Sequence, residues 1–171
     1  SRAVLQGERH GTLFADVERR LDLYLRALWR DSDQLVPYST AFDELRKPIP
    51  YYDRLGLRVP DVFDDANGPG GTVSGLDRYR AVLAHMIGHR RWSTPQIADN
   101  WSPFQRMAVE FFEDCRIETL LMREYPGLRR IFLALHPKPV ESACDPETTS
   151  CLRHRLAMLS RALLDPAHGY A

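Results

Sequence analysis

Leu76-Asp-Arg-Tyr-Arg-Ala-Val-Leu-Ala-His-Met-Ile-Gly-His89 holds no proline and closes on two histidines four residues apart. From Ala81 to His89 it is apolar or small on every side, which is the composition of a helix packed centrally rather than along one wall. A central helix needs others around it, and the prolines show where they lie. None of the twelve falls in 1–36, 70–94, 104–125 or 147–165, and one inside a helix would cost about 3 kcal/mol.

Working outward, Phe14, Val17, Leu21, Leu25 and Leu28 recur at intervals of three and four. They predict an amphipathic helix ending near Arg30. The quoted stretch belongs to a second helix over Ser74–Trp92, capped by Ser74 or Asp77. Ser102-Pro103-Phe104-Gln105 combines a cap, a first-turn proline and a capping box for a third, which runs to about Tyr125 before Pro126-Gly127. Leu128 to Leu135 forms a short helix stopped by His136-Pro137, and Asp145-Pro146-Glu147 opens a last one reaching Leu164. Residues 31–73 differ, with Pro37, Pro48, Pro50, Pro60, Pro69 and the turn cluster Asn67-Gly68-Pro69-Gly70-Gly71. They read as a long irregular loop with a short helix at Thr40–Arg46 and extended pieces around Leu57–Phe63. The expectation is an all-α fold: a single helical domain over 1–171, with one long loop and a buried helix pair.

Composition narrows the function. The chain has 171 residues, with 23 Lys+Arg against 23 Asp+Glu. A formal charge of zero supplies no basic footprint for nucleic acid and little electrostatic protection against association, so a protein partner fits. There is no run of 18 apolar residues to cross a membrane. Glu8 to Glu18 interrupts any apolar leader, so no signal peptide is expected. Cys115, Cys144 and Cys151 are an odd number and too few for a disulfide scaffold, which points to a reducing cytoplasm.

His85 and His89 stand at i and i+4, side by side on one helix face. Ala81 and Gly88 leave space beside them. This spacing is half of a helical zinc site. In a metallopeptidase the residue after the first histidine is Glu, the general base. Here it is Met86, which cannot take a proton from water. The pair reads equally as core histidines bonded to carboxylates or carbonyls. The third helix carries Glu110, Glu113, Asp114 and Glu118. Phe104, Met107, Phe111, Cys115 and Met122 define an inward stripe; Asp114 and Glu118 fall about 60° and 20° from Phe111, and Glu113 about 160° away. A buried carboxylate needs a partner: Arg116, another helix's arginine, His85 and His89, or a metal. One account is a polar network between the two helices. The other is a metal site of His85, His89 and Glu118 or Asp114, taking zinc, with a neighbouring acid orienting an imidazole.

Other motifs are weaker. Asp61, Asp64 and Asp65 lack the ladder of a calcium loop and read as turn caps. Cys144 and Cys151, with His154 nearby, do not have zinc-knuckle spacing. Gly68-Pro-Gly-Gly71 has no Lys-Ser/Thr of a phosphate loop. Arg123, Arg129 and Arg130 form a modest basic patch that could dock an acidic surface.

A series of segments then carries a resemblance. Pro60-Asp-Val-Phe-Asp-Asp-Ala, Gly75-Leu-Asp-Arg-Tyr-Arg-Ala, His85-Met-Ile-Gly-His89, Ser102-Pro-Phe-Gln-Arg, Phe112-Glu-Asp-Cys-Arg-Ile-Glu118 and Tyr125-Pro-Gly-Leu-Arg-Arg occur in that order. The series, over about Leu21 to Leu135, resembles the N-terminal region of the NorD/CbbO family, large bacterial proteins that end in a von Willebrand factor A domain. The tail around Cys144-Asp-Pro-Glu-Thr-Thr-Ser-Cys151 is most similar to the Rubisco-activation branch, CbbO; the nitric oxide reductase branch, NorD, is the alternative. The resemblance implies a cytoplasmic, non-catalytic adaptor for a hexameric MoxR-class AAA+ ATPase, CbbQ in the Rubisco branch, that helps the ring remodel inhibited Rubisco. It also implies a zincin-like site at His85, His89, Glu113, Asp114 and Glu118, degenerate at Met86. A zinc-dependent metallopeptidase using His85, His89 and Glu118 is the competing reading. No Asp-x-Ser-x-Ser motif is present, so the chain is expected to be a fragment without the von Willebrand domain, and contact with Rubisco is expected to run through that missing domain.

Overall fold

The computed structural model describes residues 11–40, 49–97, 99–145 and 151–171. Among them are β1 (Thr12–Leu13), α1 (Phe14–Trp29), β2 (Leu35–Tyr38), β3 (Tyr51–Asp53), β4 (Gly56–Pro60), β5 (Val62–Phe63), β6 (Ala66–Gly68) and β7 (Gly71–Val73). They are followed by α2 (Gly75–Trp92), α3 (Pro103–Glu124), α4 (Leu128–Leu135) and α5 (Leu152–Leu164). The all-α expectation is therefore overturned. With 52% of the described residues helical and 15% in strands, the fold is mixed α/β.

The strands lie where an irregular loop was expected, and the reason is alternation. Leu57 and Val59 are wholly buried on one side of β4, while Arg58 between them turns outward and its Nε donates to Asp53 at 2.7 Å. β4 is the centre of a three-stranded sheet in the order β2-β4-β3, parallel to β2 and antiparallel to β3. Pro37 is tolerated because β2 is an edge strand, where a missing N–H breaks no second ladder. The β3–β4 hairpin turns through Arg54-Leu55 into Gly56, whose φ is +133°. A Cβ at Gly56 would lie 2.0 Å from the Gln34 carbonyl oxygen, so glycine is required there. The expected extended pieces at Leu57–Phe63 are β4 and β5. The helix expected at Thr40–Arg46 falls, beyond Thr40, outside the described residues.

The chain divides into two compact units, the first taking the described residues up to Ala66 with Thr72–Met86, the second Asn67–Gly71 with Ile87–Ala171. In the first, α1 buries Phe14, Val17, Leu21 and Leu25 of the expected stripe, leaves its fifth member Leu28 exposed, and ends at Arg30 in the left-handed region. Tyr79 of α2 is fully buried between Phe14 and Phe63, and its hydroxyl donates to the Pro60 carbonyl at 2.8 Å. The acids suspected of a calcium loop serve the backbone, as turn caps do. Asp61 accepts from the Thr40 amide and hydroxyl, and Asp65 accepts from the Gly75 amide that opens α2.

In the second unit α3 begins with the expected capping box, Ser102 with Gln105. α4 keeps its expected bounds and buries Leu128, Ile131, Phe132 and Ala134. Gly68 and Gly70 lie against α4; a Cβ on Gly68 would come 1.8 Å from the Ala134 oxygen, so these glycines serve close packing. α5 starts at Leu152; Pro146 and Glu147, expected to open it, lie outside the described residues. Arg161 on α5 is buried and joins Asp165 at 2.8 Å and the Leu133 carbonyl at 2.5 Å. The cysteines, read as too few for a disulfide scaffold, include one bridge: Cys144 and Cys151 form a disulfide, with Cα atoms 5.8 Å apart, and Cys115 is free and buried. No helix among the described residues is long and apolar enough to cross a membrane.

Candidate functional site

The site is built where the end of α2 meets the middle of α3, and one glycine brings the helices together. A Cβ on Gly88 would stand 2.6 Å from Ile117 Cγ2 and 3.1 Å from Leu121 Cδ1. The space expected beside the histidines at Gly88 is thus filled by α3. That approach sets His89 opposite Asp114, with His89 Nε2 and Asp114 Oδ1 3.0 Å apart.

A second set of contacts supports this pair. His89 Nδ1 lies 2.9 Å from Ser93 Oγ, the first residue past α2, whose amide donates to the His89 carbonyl at 2.8 Å. The Ser93 hydroxyl donates to Glu113 Oε1 at 2.5 Å. Arg116 grips the same carboxylate twice, Nε to Oε2 at 2.7 Å and Nη2 to Oε1 at 2.6 Å, while Nη2 also reaches the Trp92 carbonyl at 2.8 Å. The Arg116 guanidinium holds the Glu113 carboxyl down at about 2 against the opposing effect of burial, with help from the Ser93 hydroxyl and His89.

The donors can be counted along this chain. Ionised Glu113 only accepts, so Ser93 commits its proton to Glu113 and accepts from Nδ1–H of His89. His89 Nε2 and Asp114 Oδ1 must then hold a proton or a cation between them.

Of the residues expected here, His85, His89 and Asp114 come together. His85 and His89 both lie on α2 and keep the one-turn spacing of the helix. Each of the three offers a ligand atom within 4.8 Å of the others. They are not deeply buried, as had been expected: both histidines are half-buried, and the Asp114 side chain is 52% exposed. Glu118 is buried as expected but lies elsewhere, with Oε2 3.4 Å from His136 Nε2. It is not among the three residues whose ligand atoms group together. The inward stripe of α3 is centred on Ile117, Glu118 and Leu121, not Phe111, and Phe104 is 54% exposed. Met86 is buried, so no carboxylate stands at the base position of a metallopeptidase.

Sequence reasoning missed Ser93; Glu113, which the resemblance had named, reaches His89 through it. The signal available was spacing: His85, His89 and Ser93 follow at four-residue steps, one helix face continued past its end. Arg116, expected to serve a buried acid, pairs with Glu113 one turn before it.

Beside the site opens a cleft of about 670 Å3, lined among others by His89, Val109, Phe112 and Asp114. Of the other suggested features, Arg129 turns to the Leu164 carbonyl and Asp165, both at 3.4 Å. No protein-family model matches the chain, and comparison with curated proteins and with solved structures finds no match.

Proposed function

We propose that this chain is the N-terminal domain of a cytoplasmic adaptor for a hexameric MoxR-class AAA+ ATPase, of the Rubisco-activation kind. Its role is to bind the ring and serve the remodelling of inhibited Rubisco. The order of six segments from Pro60 to Arg130 supports the family, and one structural observation supports a binding role. Phe104, Val109 and Phe112 stand 54%, 42% and 52% exposed on α3, within about 140° of one another around the helix. Aromatic groups left in water on one helix face are typical of a surface that a partner covers.

Hydrolysis is less well supported. Met86 occupies the place of a general base, and the nearest alternative, Glu113, is engaged by Ser93 and Arg116. The test is sedimentation of the chain with the cognate ATPase hexamer, alongside the ATPase rate. Co-sedimentation and a changed rate are expected, both lost in Phe112→Asp with folding intact. A folded chain that neither binds the ring nor alters its rate overturns the reading.

A further inference from the structure

We infer that His85, His89 and Asp114 bind one divalent transition-metal ion of the zinc class, with Ser93, Glu113 and Arg116 as the positioning chain behind His89. The inference does not depend on the adaptor reading. Three observations on α2 and α3 carry it. The first is the donor set, two imidazole nitrogens and one carboxylate oxygen, which suits zinc and its neighbours and not calcium or magnesium. The second is distance. Donors bonded at zinc lengths around one tetrahedral ion stand about 3.4 Å apart; His89 and Asp114 are at 3.0 Å, and 4.8 Å bounds the whole set. Side-chain rotation within a rotamer well closes the remainder.

The third observation is the direction of the hydrogen bonds. Arg116 keeps Glu113 an acceptor, Glu113 takes the Ser93 proton, and Ser93 takes Nδ1–H of His89. The chain therefore holds the His89 tautomer whose Nε2 lone pair faces Asp114, the form that ligates a metal. Three protein ligands leave a fourth position. His89 and Asp114 both line the cleft of about 670 Å3, so that position is open to a water or to a group from a bound partner.

The test uses the full 171-residue chain, dialysed against zinc, calcium or magnesium salts one at a time, with elemental analysis and titration calorimetry. One zinc per chain is expected, with neither calcium nor magnesium competing. Asp114→Asn, on a half-exposed side chain, keeps the fold and should lose zinc affinity at least tenfold, as should His89→Ala. Ser93→Ala, which removes no ligand, should weaken zinc by about 10- to 100-fold. Circular dichroism of each variant separates loss of metal from loss of fold, and Asp114→Asn decides the matter if His89→Ala does not fold. Zinc uptake no greater in the parent chain than in Asp114→Asn overturns the site. Equal uptake of calcium overturns the metal class, and unchanged affinity in Ser93→Ala overturns the positioning chain.

Discussion

Ser93 and Glu113 are joined hydroxyl to carboxylate at 2.5 Å, across the gap from the last turn of α2 to the middle of α3. This contact ties a residue just outside one helix to the interior of another, and it holds the end of α2 where a helix would otherwise fray. It also passes the Arg116 charge back toward His89, because the carboxylate that accepts from Ser93 is the one Arg116 grips.

Replacing Arg116 with Ala should therefore be felt first at Glu113. Its carboxyl, held at about 2 against an ordinary 4.5, should move back toward the ordinary value in zinc-free protein. A group lowered on folding contributes stability above its unfolded value, and that stability is lost as pH falls through the folded one. The parent chain should thus lose this contribution between about 4.5 and 2, and Arg116→Ala should show little of that loss. A carboxyl-carbon NMR titration of the two proteins checks the shift directly.

Gly88→Ala should separate α2 from α3. The added methyl meets Ile117, whose branched side chain has little freedom to move aside. Overpacking of this kind costs about 1–3 kcal/mol. Urea unfolding should show that loss; an unchanged midpoint would mean that Ile117 yields without cost.

Arg161→Ala should be among the most damaging single changes. The guanidinium is buried, and its removal takes a donor from the Leu133 carbonyl and leaves Asp165 only the longer contacts to Arg129 and the Ala167 amide. Breaking a buried pair in this way costs about 3–5 kcal/mol. Burial pushes the Asp165 carboxyl up, but the Ala167 amide and the Arg161 and Arg129 guanidiniums outweigh it and hold it below the usual range. Its contribution is therefore present at neutral pH and lost on acidification through the carboxylate range, and Asp165→Asn should remove that part of the acid sensitivity in urea melts.

The disulfide makes a prediction that bears on compartment. Closing the short loop from Cys144 to Cys151 stabilises by about 2.5 kcal/mol in the chain-entropy estimate. Urea unfolding with and without excess thiol should differ by that order, and the double variant Cys144→Ser, Cys151→Ser should show no difference. In a reducing cytoplasm the pair would be held as thiols, so the stability relevant there is the lower one.

The helices were legible because their signals are local: Ser102 with Gln105 fixes the start of α3, and a proline follows two residues after the end of α3, α4 and α5. The sheet was not. The strands of β2-β4-β3 are three to five residues long, too short for a period of two to outweigh five prolines, and Pro37 costs little because it lies on an edge. At the site, His89 and Asp114 could be found from spacing, and Glu118 was rightly turned inward, where His136 stands beside it; the rest of the stripe was misplaced. The rotation had been centred on phenylalanines, and α3 leaves Phe104 and Phe112 in water while turning Ile117 and Leu121 inward. A helix that exposes its aromatic residues defeats any rule that places them inside. Ser93 escaped notice because its role begins where the helix stops.

The hairpin tip at Asn67–Gly71 has a consequence for dissecting the protein. Its residues group with the helices after Ile87, although both flanks group with the strands and α1. The polypeptide therefore changes unit three times, and no single cut separates them cleanly. A fragment beginning at Ile87 would lack the glycines that cover Ala134 on α4, and one ending at Met86 would carry a tip with nothing to lie on. Truncation data on either half would report an injured piece, so the two units are best assigned their roles by point substitution within the uncut chain.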